Sequence, residues 1–271
     1  MNKFSKKRNQ EFWNSFAKTS KNNPFGAHSD LHLVELENRF IKSVLKPMKI
    51  NSLIDVGCGN GQRTLFFSQF VKNRVLGIDY SKKMINYAKQ TLSHNSSRVK
   101  KKVEFSCSDI HDFKSKEIFD VVVCCRNFVN QTNSKNQIKL FKILHKKLRP
   151  GGSLIIAESS LEGIKRLNSI RREFGLDEIK IPWYNVPINE TKVITKMKNL
   201  FQIKKINRLG TFYYLSRVIH PSLVHPKNPK PGSKINELAL NAEIISQKKF
   251  IKKDNPFEQF GLHLLIHFKK I

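Results

Sequence analysis

Apolar residues fall along this chain in two alternating rhythms. Short branched runs, Leu53-Ile54 with Val56, Arg74–Ile78, Val103–Cys107, Phe119–Cys125 and Ser153–Ala157, have the length and β-branched character of buried strands. Between them the apolar positions recur at helical spacing. Examples are Met84, Ile85, Ala88 and Leu92 behind a capping Ser81, and Ile138, Phe141, Leu144 and Leu148 before a Pro150-Gly151-Gly152 stop. Ahead of the first strand, Leu33, Leu36, Phe40 and Val44 predict an amphipathic helix over about Asp30 to Leu45. Alternation of this kind predicts an α/β fold, a doubly wound and mostly parallel sheet with helices on both faces.

The pattern divides the chain. Residues 1–50 read as an N-terminal helical cap and 51–158 as the core of alternating strands and helices. Residues 159–200 form an excursion carrying Trp183, Tyr184 and Pro187. Residues 201–271 supply closing strands, with strand material over Phe201–Ile219 broken by Gly210. An insertion over 220–256 holds Pro221, Pro226, Pro229 and Pro231 and a helix from Ile235 to Lys248, and Gly261–Phe268 ends the chain as a strand.

Composition narrows the class. Of 271 residues 39% are hydrophobic and 26% charged, so a core is available and general disorder is excluded. No apolar run approaches the ~20 residues of a membrane-spanning helix, and the basic start, Met1 to Arg8, has no apolar signal-peptide core; a cytoplasmic location is expected. The four cysteines lack metal-like spacing and are expected as small core residues, with no metal site anticipated. The 50 Lys and Arg against 21 Asp and Glu leave a formal charge of +29, which points to an anionic partner: nucleic acid, a membrane surface, or an acidic or phosphorylated small substrate. The lysines are spread over several clusters at predicted turns and helix ends, as solvated surface charge is.

The densest chemistry lies in Leu53-Ile54-Asp55-Val56-Gly57-Cys58-Gly59-Asn60-Gly61, where a strand runs into a glycine turn and a helix containing Thr64, Leu65 and Phe67 follows. Such a turn lets backbone approach a nucleotide-like ligand, with helix N-terminal amides facing it. A dinucleotide fingerprint requires its third glycine at position 62, where Gln62 stands, so the spacing is GxGxG. Asp79 follows Gly57 by 22 residues at the end of the second strand, near the ~20-residue interval at which an acid accepts from ribose hydroxyls.

This run, with Asp55 ahead of it, resembles motif I of the class I S-adenosylmethionine-dependent methyltransferases. The resemblance is specific over Leu53 to Glu158. It implies a seven-stranded sheet with an antiparallel last strand and S-adenosylmethionine as cofactor, leaving as S-adenosylhomocysteine. It further implies that Asp55, Gly57, Gly59, Gly61, Asp79, Tyr80 and Met84 hold the cofactor, that Ser108, Asp109 and Ile110 hold adenine, and that Arg126 borders the cofactor. After the fourth strand the chain reads Cys125-Arg126-Asn127-Phe128-Val129-Asn130, with neither the Pro-Pro-aromatic segment of base amine methyltransferases nor a Pro-Cys nucleophile.

Arg126 suits a carboxylate or phosphate, and amides orient hydroxyls or amines. Candidate catalytic groups are therefore Asn127, with His28 or Glu158 as a base. Candidate acceptor contacts are Asn130, Asn168, Arg171, Tyr184, Tyr214 and Arg217. The expected activity is methyl transfer to an O or N atom of a small, anionic acceptor such as a sugar acid, nucleotide sugar, glycan unit or secondary metabolite. The alternatives are an RNA methyltransferase using the basic surface, a non-catalytic S-adenosylmethionine-binding module, and, third, an NAD-dependent reductase.

Overall fold

The protein is described here by a computed structural model covering residues 5–20, 30–230, 232–249 and 255–271. Seven strands form one sheet: β1 (Ile50–Val56), β2 (Val71–Asp79), β3 (Val103–Cys107), β4 (Phe119–Cys125), β5 (Leu148–Ser159), β6 (Phe201–Asn207) and β7 (His263–Lys270). Their order is β3-β2-β1-β4-β5-β7-β6, and β7 runs antiparallel to both β5 and β6 while the other neighbours are parallel. The helices are α1 (Lys6–Ser20), α2 (Leu31–Leu45), α3 (Gln62–Ser68), α4 (Lys82–Ser93), α5 (Ser97–Lys100), α6 (Ser134–Lys146), α7 (Leu161–Glu173), α8 (Glu190–Met197), α9 (Gly210–Tyr214), α10 (His220–Val224) and α11 (Lys234–Lys249).

Strand period explains why the core has two halves. Leu53, Val75, Val121, Val123, Ile155 and Leu265 point to one face, against Phe40 and Ile41 of α2, Ile85 of α4, Leu167 of α7 and Phe212 of α9. Their neighbours Ile54, Leu76, Val122, Cys124, Ile156 and Ile266 point to the other, against Leu140, Phe141 and Leu144 of α6 and Val193 of α8. A strand covered on both faces has no polar side to show, which is why β4 is apolar at nearly every position. Each such side chain contributes about 1.5–3 kcal/mol when fully buried.

Three expectations change. The region Phe201–Ile219 is strand only to Asn207, and Gly210 starts a helical stretch continuing through a π turn (Leu215–Ile219) into α10, so Tyr213, Tyr214 and Arg217 are helical. The cause is at the junction: Leu209 is left-handed, with φ +56°, and a side chain on Gly210 would meet the Phe257 carbonyl oxygen at 1.9 Å. Pro150-Gly151-Gly152 stops α6 but is itself absorbed into β5, where the pairing with β4 shifts register between Phe119 and Val121. Cys107 is exposed at the end of β3 rather than buried, and all four cysteines are free. Among the described residues no helix is long and apolar enough to cross a membrane.

Candidate functional site

Strand order reverses at β1, whose neighbours are β2 and β4, and open α/β sheets bind ligands at the strand C-termini beside such a point. There Gly57, Gly59 and Gly61 all have positive φ, +78°, +55° and +79°, a conformation that side chains disfavour. The three differ in their surroundings. A Cβ on Gly61 would strike the Phe105 ring at 2.5 Å and Ala88 at 2.8 Å, and one on Gly57 would strike Asn127 Nδ2 at 2.5 Å. A Cβ on Gly59 would meet nothing within 4 Å. Gly61 therefore serves packing, Gly57 lets the Asn127 side chain approach the turn at the cleft wall, and Gly59 faces open space.

The space is a cleft of two adjoining cavities. One, of about 150 Å³, is lined by Asp55, Gly57, Gly59, Arg63, Met84 and Arg126, among others, and is closed over by Trp13 of α1. The other, of about 520 Å³, runs past Ser108, Asp109, Ile110, His111 and Gln131. Asp79, Tyr80, Asn127 and Asn130 border both.

Asp79 braces the glycine turn, accepting from the Gly59 N–H at 3.0 Å through Oδ2 and from the Ser81 N–H at 2.8 Å through Oδ1. Burial pushes its carboxyl up to about 6, against the pull of those two N–H groups. Asp55 accepts the Thr64 hydroxyl at 2.6 Å, and burial likewise raises it to about 6. Asp109 accepts from the His111 N–H at 2.8 Å, and its other oxygen lies 2.7 Å from Lys6 Nζ of α1.

The turn after β4 is held from beneath. Glu158, with no exposed surface, accepts from the N–H groups of Asn127 (2.7 Å), Phe128 (2.8 Å) and Val129 (3.2 Å). Burial raises its carboxyl to about 8 against those three donors. Arg126 adopts φ +54°, a left-handed conformation costing a non-glycine residue about 1–2 kcal/mol. That geometry brings its guanidinium into the cleft. Nη2 lies 3.2 Å from Glu37 Oε2 of α2, the oxygen that accepts from Arg63 Nη1 at 2.7 Å. Glu37 is fully buried, with its second oxygen 2.7 Å from His263 Nε2. Burial would push its carboxyl up, but Arg63 and His263 outweigh this and hold it below the ordinary glutamate value. Burial in turn lowers Arg126 to about 10. Among the described residues, Arg63 Nε and Nη2 and Arg126 Nη1 are buried without a hydrogen-bond partner.

Helix α1 roofs the cleft. Asn9 donates to the Asn130 carbonyl (3.0 Å), Gln10 to the Tyr80 carbonyl (3.2 Å), and Asn14 accepts the Ser81 hydroxyl (2.7 Å). On its outer side Phe12 stacks on Tyr184 with ring centroids 4.3 Å apart, and Arg8 lies over Trp183 at 4.2 Å.

The sequence-expected residues are therefore distributed unevenly. Asp55, Gly57, Gly59, Asp79, Tyr80, Met84, Ser108, Asp109, Ile110, Arg126, Asn127 and Asn130 all border the cleft, and Gly61 lies packed beneath it. Glu158 is not in the cleft wall; its oxygens are turned to backbone N–H groups. Asn168 clamps Ile179 through both its N–H and carbonyl, Arg171 donates to the Asp177 and Arg217 carbonyls, and Arg217 is paired with Asp30. Tyr214 packs on Phe257 and Phe260, and Tyr184 on α1. These five hold the caps together instead of lining the cleft. His28 lies outside the described residues.

Arg63 and Glu37 escaped sequence reasoning. The one available signal was a glutamate on the otherwise apolar face of α2.

A family profile described as a methyltransferase domain matches residues 53–152. Carboxy-S-adenosyl-L-methionine synthase of Shewanella sediminis is 28% identical over 163 residues, 59% of this chain and 63% of that protein. Ubiquinone biosynthesis O-methyltransferase of Pelagibacter ubique is 28% identical over 171 residues, 63% of this chain and 66% of that protein. The chain thus spans under two thirds of the length of either curated relative. Among solved structures, N-methyltransferase NodS of Bradyrhizobium japonicum with S-adenosyl-L-homocysteine superposes with a TM-score of 0.58 at 15% identity, covering 95% of this chain and 98% of that one. Residues 53–152 thus carry a methyltransferase domain, and the seven-stranded sheet that frames it has the fold of the class I, Rossmann-like, S-adenosylmethionine-dependent methyltransferases.

Proposed function

We propose that this chain transfers the methyl group of S-adenosylmethionine to an O or N atom of a small anionic acceptor: a sugar acid, nucleotide sugar, glycan unit or secondary metabolite. The observation that carries the cofactor half is the clear space above left-handed Gly59, with the Asp79 carboxylate tied to its N–H. Asp79 would accept from the ribose hydroxyls, Asp109 and Ile110 would hold adenine, and Tyr80 and Met84 would cover the adenosine. The cofactor supplies a methyl group already activated on a sulfonium, so the protein's part is to align the acceptor and exclude water. Trp13 and the rest of α1 serve the exclusion. Asn127 and Asn130, at the meeting of the two cavities on a turn fixed by Glu158, are placed to orient an acceptor hydroxyl or amine.

The acceptor half rests on the shared carboxylate. Among the described residues Glu37 is shared by Arg63 and Arg126, and three of their nitrogen atoms have no hydrogen-bond partner there. Buried guanidinium N–H groups left unpaired are costly, and a carboxylate or phosphate satisfies them with charge-assisted bonds. The relatives named for ubiquinone biosynthesis and for carboxy-S-adenosyl-L-methionine fit a small-molecule acceptor in preference to a macromolecule.

Calorimetry with S-adenosylmethionine and with NADH tests the cofactor; binding of NADH alone would overturn it. Methyl transfer to matched neutral and carboxylated or phosphorylated acceptors, by wild type and Arg126→Gln, tests the rest. The anionic reading predicts a preference for the charged member of each pair that Arg126→Gln reduces at least tenfold, and equal turnover of both members would refute it.

A further inference from the structure

Helix α11 packs inside out. Its inward positions are Asn236, Ala239, Glu243 and Ser246, all buried. Three of them are committed to polar bonds: Asn236 to His220 at 2.9 Å, Glu243 to the Phe212 N–H at 2.9 Å, and Ser246 to Thr211 at 3.0 Å. Only partly buried Leu240 and Ile244 reach the core from this helix besides Ala239. Two of its largest apolar side chains instead face outward, Leu238 at 65% exposure and Ile245 at 57%. Seven residues apart, they lie on one stripe. On α10, linked to this helix by the His220–Asn236 bond, Leu223 is 68% exposed. Apart from the C-terminal Ile271, these are the most exposed large apolar residues described. Single exposed leucines are ordinary; three within one inserted unit, on helices whose inward contacts are polar, are not.

Charge says what covers them. Residues 223–253 contain seven lysines and two acids, one of which is the buried Glu243. Lys227, Lys230, Lys234, Lys248 and Lys249 are exposed, and Lys234 and Lys248 flank the apolar stripe one turn beyond each end. The sequence continues in the same character through Phe250, Ile251, Lys252 and Lys253. Exposed apolar side chains flanked by lysines match the boundary of an anionic bilayer, where the apolar groups enter below the headgroups and the ammonium groups stay at phosphate level. A protein partner of ordinary composition does not require five exposed lysines on and between the helices that carry three exposed aliphatic residues, and a second copy of this face would bring lysines against lysines.

We propose that the outer face of α10 and α11 docks this protein on anionic lipid bilayers. The assignment is independent of the reaction performed in the cleft, although α11 also packs against α2, the helix that carries Glu37.

The experiment is sedimentation of the full chain with vesicles of phosphatidylcholine alone or mixed with phosphatidylglycerol, at several salt concentrations. Binding is expected only with the mixed vesicles and should fall as salt screens the lysines. Leu238→Ser with Ile245→Ser leaves the net charge unchanged and is expected to weaken vesicle binding about tenfold, with the thermal midpoint and S-adenosylmethionine affinity retained. Absence of binding to mixed vesicles at low salt would overturn the proposal. So would equal binding by the double variant, or a wild-type dimer that the double variant dissociates. Retention on RNA but not on vesicles, lost on converting Lys248 and Lys249 to Glu, would assign the face to a nucleic acid instead.

Discussion

Replacing Glu37 by Gln should be the most destabilising single-atom exchange near the cleft. In the native protein one fully buried carboxylate neutralises Arg63 at 2.7 Å and Arg126 at 3.2 Å, with His263 at 2.7 Å on its other oxygen. Removing one partner of a buried ionic group costs about 3–5 kcal/mol, because the remaining charges keep their desolvation penalty without compensation. Glutamine keeps one acceptor oxygen, which puts the expected loss near 3 kcal/mol. For a chain of this size that corresponds to a fall in Tm of roughly 6–12 °C. Glu35→Gln is the control: Glu35 and Arg39 form an exposed i,i+4 pair at 2.6 Å, expected to contribute about 0.3–0.5 kcal/mol. The assay is thermal unfolding by circular dichroism across pH. Because Glu37 is held below its unfolded value of 4.5, its stabilisation is complete above that pH and is lost as pH falls, so wild type and Glu37→Gln should converge in acid. Two variants equally stable at neutral pH would refute the reasoning, since the cluster would then be neither dry nor electrostatically coupled.

Gly59→Ala and Gly61→Ala should separate binding from folding. Both impose a left-handed alanine, but only Gly61→Ala drives a methyl into Phe105 and Ala88, adding about 1–3 kcal/mol of overpacking visible in urea unfolding, while Gly59→Ala leaves a folded protein with weakened S-adenosylmethionine binding by calorimetry. In the proposed role of accepting from ribose hydroxyls, ionised Asp79 is a stronger acceptor than the neutral acid, so cofactor affinity should fall as pH drops below about 6. Its raised value has the opposite sign for folding: that contribution is greatest below the unfolded value of 3.8 and is lost as pH rises through about 6. Glu158→Gln sets an amide NH₂ against backbone N–H donors and should cost about 1–3 kcal/mol in urea unfolding, with the pH dependence of turnover unchanged. Loss of the acid-side limb of that pH profile would return Glu158 to the role of a base.

Legibility in the sequence followed the range of the interaction. The glycine turn, Asp79 and Asp109 could be read because each depends on a strand ending in a ligand-facing turn, and strand ends are marked by local apolar periodicity. Glu37 was hidden because its partners come from positions 63, 126 and 263, and only the closed sheet brings β7 beside α2. The acceptor candidates found in structural contacts share another cause. Asn168, Arg171, Tyr184, Tyr214 and Arg217 have side chains equally suited to binding substrate or tying loops together, and composition does not distinguish the uses. Local pattern alone places Tyr214 and Arg217 on a strand, because the turn at Leu209 and Gly210 depends on contact with residues near 257.

The fastening of α1 has a kinetic consequence. Lys6, Gln10 and Asn14 grip Asp109, the Tyr80 carbonyl and Ser81, which belong to the cleft wall or adjoin it, and the outer side of the helix is clasped by Trp183 and Tyr184. A molecule under this helix leaves more freely once the grip is released, so residence time, for spent cofactor as much as for fresh, should lengthen with the time the fifteen-residue helix stays down. Inhibition by the demethylated product would be slow to reverse for the same reason, and shortening the helix would speed exchange in both directions.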